Sequence, residues 1–86
     1  MKRKLCTSIK ECGMNEELII YPPDVDILVA YEFNVYNLSE VDIQIQLNNE
    51  GDILTLEPDE GFSTGQPVTH AVVLTAGAIV KYSYWL

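Results

Sequence analysis

Four groups of residues have the chemistry to form a site. His70 is the only histidine. As a general base it needs a partner within hydrogen-bond reach, and no Ser/Asp/His grouping follows from the residue order. It is read as a strand residue packed at the sheet. Cys6 and Cys12 are the only cysteines. On one extended strand, at roughly 3.3 Å per residue, they lie about 20 Å apart, far beyond disulfide reach. The intervening Thr7-Ser8-Ile9-Lys10-Glu11 holds no Gly or Pro to fold them together, so both are read as free thiols. A zinc site needs about four ligands; two Cys and one His at no recognised spacing do not supply it. The acids of Asn48-Asn49-Glu50-Gly51-Asp52 and Glu57-Pro58-Asp59-Glu60 lack the alternating oxygen ligands and terminal bidentate acid of a calcium loop. Nothing selects a carboxylate pair for glycoside hydrolysis. The expectation is a non-enzymatic protein with no cofactor, no metal and no catalytic residues.

The chain that must position any site is 86 residues long and 48% hydrophobic. That is enough for one small domain. Its formal net charge is -8, which argues against gripping a nucleic-acid backbone. No apolar run approaches the roughly 18 residues of a membrane-spanning helix. The charge is uneven. Lys2, Arg3, Lys4 and Lys10 place +4 on the first ten residues, whereas Glu11 to Leu86 carries thirteen acids and one base, Lys81, a net of -12. Residues 1–16 are therefore read as a basic arm or edge segment, and residues 17–86 as the folded body. The basic start is not followed by the apolar core of a signal peptide, so synthesis in the cytoplasm is expected. Either the basic start is plain surface charge, or it docks on an acidic neighbour such as a second copy.

The body reads as strands. Glu17 to Tyr21 is a short apolar run closed by Pro22-Pro23, which cannot donate to a ladder. From Asp26 to Leu38 the odd positions Ile27, Val29, Tyr31, Phe33 and Val35 form the predicted core face. Val41, Ile43, Ile45 and Leu47 alternate with Asp42, Gln44, Gln46 and Asn48, the pattern of a strand with one buried face. A turn at Asn48–Asp52 and the return Ile53–Leu56 predict a hairpin. Phe62–Pro67 reads as loop. Val68 to Thr75 is a strand with Val68, His70, Val72 and Leu74 on one face. Ala76-Gly77 turns the chain into a last strand, Ala78–Leu86. No helix is expected; residues 11–18 are the one candidate, and Gly13 weakens it. Short strands with regular turns predict an all-β domain, a single small antiparallel β-sandwich or a Greek-key, jelly-roll-like barrel.

The chain ends in Tyr82-Ser83-Tyr84-Trp85-Leu86. Aromatic side chains carry large contact area and are enriched at interface cores. Tyr82 and Tyr84 complete the core face of the last strand. Trp85 shares the other face with Lys81 and Ser83 and needs a cover, from its own domain or from a partner. The residues set aside for partner binding are Lys2, Arg3, Lys4, Tyr84 and Trp85.

The stretch Val41-Asp42-Ile43-Gln44-Ile45-Gln46-Leu47-Asn48-Asn49, then Ile53-Leu54-Thr55-Leu56-Glu57-Pro58-Asp59-Glu60-Gly61-Phe62, then Val72 to Trp85, resembles small phage and prophage structural proteins. The resemblance covers roughly residues 41–85. It implies a β-sandwich virion component, often trimeric, that decorates or joins capsid and tail parts. Its implied partners are copies of itself and other virion proteins, with no direct nucleic acid and no membrane. It also implies a bacterial host and incorporation in the virion. Two further readings are kept. One is a small carbohydrate- or peptide-binding module using exposed Tyr or Trp. The other is an acidic mimic of nucleic acid, which requires acids arrayed along one face.

Overall fold

The computed structural model describes residues 3–51 and 53–86. Among them there is no helix, and the protein is an all-β sandwich of two four-stranded antiparallel sheets. The strands are β1 (Leu5–Glu11), β2 (Glu16–Glu17), β3 (Tyr31–Asn37), β4 (Ile43–Leu47), β5 (Ile53–Leu56), β6 (Gly61–Thr64), β7 (Ala71–Val73) and β8 (Ile79–Trp85). One sheet runs β1-β8-β3-β6 and the other β2-β7-β4-β5.

This order has a simple origin. β1 pairs with β8, β2 with β7, β3 with β6, and β4 with β5. The chain is one long antiparallel hairpin with its tip at β4–β5. Its paired strands fall alternately into the two sheets, which close through β3–β8 and β4–β7. That is the jelly roll. The core lies between the sheets, with Phe33, Leu18, Ile43, Ile45, Val68, Val73 and Val80 fully buried. The hairpin β4–β5 forms where expected, and Asn48, Asn49 and Gly51 of its turn all take positive φ, the backbone a tight hairpin needs.

The structure changes four expectations about faces and strands. First, the odd face of residues 26–38 is buried only from Phe33 onward. Tyr31 pairs with Trp85 but Asn34 pairs with Ser83, so β3 carries one extra residue, at Glu32 with φ 51°. Such a bulge reverses the alternation. Ala30 points inward before it, whereas Ile27, expected in the core, is 65% exposed. Second, Val41, expected on a core face with Ile43, precedes the paired segment of β4 and is 59% exposed. Third, Val68 to Thr75 is not one strand. Val68 exchanges backbone bonds with Ala30 (2.7 and 2.8 Å), while Ala71–Val73 belongs to the other sheet. Where the chain crosses between sheets the alternation restarts, so Ala71 and Val73 face the core in place of His70 and Val72. Fourth, Phe62–Thr64, expected as the start of a loop, forms with Gly61 the edge strand β6, with only Phe62 and Thr64 turned toward the core side.

Asn37 is the one buried polar residue among those described. Its Nδ2 donates to the carbonyls of Val41 (2.9 Å) and Leu56 (3.0 Å), and its Oδ1 accepts from the Ser39 amide (2.8 Å). Its main chain bonds Glu60 and Asp59. It therefore fastens the end of β3 to the start of β4 and the end of β5, at the crossing between the sheets.

Candidate functional site: the outer face and edge of the first sheet

Residues 4–11 are built into the sandwich. β1 pairs with β8 over its full length, and Lys4 exchanges both backbone bonds with Leu86 (3.1 and 2.9 Å). Even residues of β1 lie on the inner side, where Cys6 packs against the core and Lys10 bonds Glu16 (3.2 Å). Glu16 also accepts from the Gly13 amide. That bond, and then Lys10, hold its carboxyl below the usual range. Odd residues lie on the outer side, with Leu5 48% and Ile9 62% exposed.

The register lays out this outer face in rows. Leu5, Trp85 and Tyr31 form the first; Thr7, Ser83, Asn34 and Ser63 the second; Ile9, Lys81, Tyr36 and Gly61 the third. Glu11 and Ile79 follow, with Leu38 bonded beside Ile79. The charged side chains of this face are Arg3 over Tyr31, Lys81 and Glu11, on a protein of net charge -8. Leu5, Ile9, Tyr36, Leu38 and Ile79 are all exposed here. A shallow concavity of about 540 Å³ lies over the middle, lined by Thr7, Asn34, Tyr36, Ser63, Lys81 and Ser83. Gly61 makes room for it. A Cβ there would stand 3.1 Å from the Tyr36 ring and 3.3 Å from the Val35 carbonyl. Trp85 borders a second depression with Glu32, Thr64 and Gly65.

Of the five residues set aside for partner binding, the β1–β8 pairing brings Arg3, Lys4, Tyr84 and Trp85 to one end of the sheet, with side chains on different faces. Lys2 lies outside the described residues. The Arg3 guanidinium sits over the Tyr31 ring at 4.8 Å, a cation–π contact that leaves its N–H groups available. The Lys4 side chain is exposed at the free edge. Trp85 is half-buried on the outer face between Leu5 and Tyr31. Tyr84 faces inward and is 3% exposed; its hydroxyl accepts from the Ile20 amide (3.0 Å), and its ring stacks on Tyr82. Its contacts are with the core, and burial raises its pKa. Nothing in the local residue pattern marks Leu5, Ile9 and Ile79 as an exposed apolar surface. The signal that finds them is the β1–β8–β3 register.

His70 and Cys12 make contacts within the fold. Both thiols are free. Cys12 is buried, which raises its pKa, as does the Glu16 charge, so it stays a thiol at neutral pH. His70 Nδ1 meets Glu17 Oε1 at 2.5 Å, and Glu17 Oε2 accepts from the Ala71 amide (2.8 Å), so the pair ties β2 to β7. Among the described residues, no three His, Cys, Asp or Glu converge as metal ligands. Nor is any helix among them long and apolar enough to cross a membrane. The chain matches no protein-family model, no curated protein and no solved structure.

Proposed function

We propose that the protein is a non-enzymatic assembly subunit acting through protein–protein contacts. It joins copies of itself and other components of a virion, as a capsid-decoration or head–tail accessory protein. The observation that carries this reading is the outer face of the β1-β8-β3-β6 sheet. It gathers exposed apolar side chains and little charge on an otherwise acidic protein, the character of a surface that is covered in use. The fold adds an analogy: jelly rolls build viral capsids, although they also serve lectins and cupins. A small domain with little core of its own gains buried area by association. Sedimentation equilibrium on the full chain is expected to give a mass at least twice 9.7 kDa at high micromolar concentration. A single species at the chain mass throughout would contradict the reading. The carbohydrate- or peptide-binding reading keeps one observation in its favour. Tyr36 flanks a concavity that also presents the Asn34 amide and the Ser63 and Ser83 hydroxyls, and it predicts a monomer that binds.

A further inference from the structure

We propose that the free edge of β1 pairs antiparallel with the same edge of a second copy. Thr7 faces the partner's Thr7 across a two-fold axis, and one sheet runs continuously through eight strands. This rests on the assembly reading and specifies where two copies meet.

The backbone provides the first argument. Lys4 is bonded reciprocally to Leu86, and the Cys12 amide donates to Ala78 (2.7 Å). Bonded positions recur every second residue in an antiparallel ladder. Cys6, Ser8 and Lys10 therefore turn their N–H and C=O groups to β8. Leu5, Thr7, Ile9 and Glu11 turn theirs to the open edge, where no strand among those described pairs with them. Edges of this kind are templates for another strand. The other edge strands have two residues (β2) and four residues (β5 and β6), whereas β1 has seven and no proline.

The sequence provides the second. A two-fold axis normal to the sheet keeps the same face outward in both copies, so odd residues meet odd ones. With Thr7 on the axis, Leu5 meets the partner's Ile9 and Arg3 meets the partner's Glu11, each twice. The outer face then reads cation, apolar, hydroxyl, apolar, anion against its own reverse, and each such cross-strand pair is favourable. A register centred on Ser8 sets Leu5 against Glu11. One centred on Cys6 sets Arg3 against Ile9. The chosen register does place Lys4 opposite Lys10 on the inner side, but Lys10 is already held by Glu16 at 3.2 Å.

Charge provides the third. Residues 3–11 hold three bases and one acid. Contact here lets two acidic bodies meet along their basic margin, where mutual repulsion is least.

The test is sedimentation equilibrium on the full chain and two sets of variants, with circular dichroism as the check on folding. Thr7→Pro removes an N–H that points away from β8, so the fold is retained. Both copies lose a central bond, and dimer association is expected to weaken by about thirty-fold or more. Arg3→Glu and Glu11→Arg are each expected to weaken the dimer, and the double variant to restore it, because only the Thr7-centred register pairs these two positions. A folded Thr7→Pro chain that still dimerises like the parent overturns the β1 edge but leaves the assembly reading intact. Single variants that weaken without restoration in the double overturn the register. A parent chain monomeric at all concentrations overturns both the pairing and the assembly reading.

Discussion

Asn37→Asp is expected to destabilise the fold by about 3–5 kcal/mol, because a buried donor becomes a buried anion facing two carbonyls. The amide of Asn37 donates to Val41 and Leu56. A carboxylate there loses both bonds, strands two carbonyl groups, and places like partial charges together away from water. The loss of the donor alone, in Asn37→Ala, is expected to cost less. A domain of this size has a total stability of about 4–13 kcal/mol, so Asn37→Asp removes a large fraction of it. Urea denaturation of the parent and both variants measures the difference. A loss under about 1 kcal/mol for Asn37→Asp would show that the crossing from β3 to β4 is held by something other than this side chain.

Phe33→Ala is the second large effect, at about 3–5 kcal/mol. Phe33 is fully buried and is among the largest such side chains in the core. It is also the first inward residue after the bulge at Glu32. Truncation leaves a cavity between the sheets where β3 resumes its pairing with β6 through Phe33 and Thr64. The backbone is held to β8 on either side of it, at Tyr31 and Asn34, so the site collapses little. The same urea series reads the loss, and a cost near 1 kcal/mol would mean that neighbouring side chains close the space.

The central strands β4 and β8 were legible in the residues, and the edge strands β1 and β6 were not. β4 is flanked by β5 and β7, so Ile43 and Ile45 are fully buried and Leu47 partly, and its alternation is clean. β8, between β1 and β3, shows the same regularity from Ala78 to Leu86. β1 and β6 are the two edges of their sheet. Each has one neighbour and a part-open inner face, so Ser8 and Lys10 in β1 and Thr64 in β6 occupy positions that a central strand would fill with apolar groups. The apolar period fades accordingly. Two other misreadings share one cause: a face assignment survives only while the strand stays in one sheet without a bulge. Glu32 breaks that condition in β3, and the crossing between Val68 and Ala71 breaks it before β7.

The candidate site was legible in part for the same reason. Trp85 and Lys81 were placed on the outer face because β8 is regular. Tyr84, two residues from Tyr82 on the inward face, completes the core. The apolar margin of Leu5 and Ile9 depends on the pairing of β1 with β8, which joins the two ends of the chain and leaves no local trace. Because β1 covers part of the core through Cys6, deleting the first ten residues would disturb the fold as well as any contact. Substitutions confined to the outward groups of β1 separate the two.

Amide hydrogen exchange resolved by residue tests the β1 pairing most directly, since it reads the edge N–H groups themselves. In the paired assembly, Thr7 and Ile9 are expected to exchange slowly alongside Cys6 and Ser8, and their protection should fade on dilution. If Cys6, Ser8 and Lys10 are protected while Leu5, Thr7 and Ile9 exchange as open amides even at high concentration, the edge is free and the pairing is contradicted.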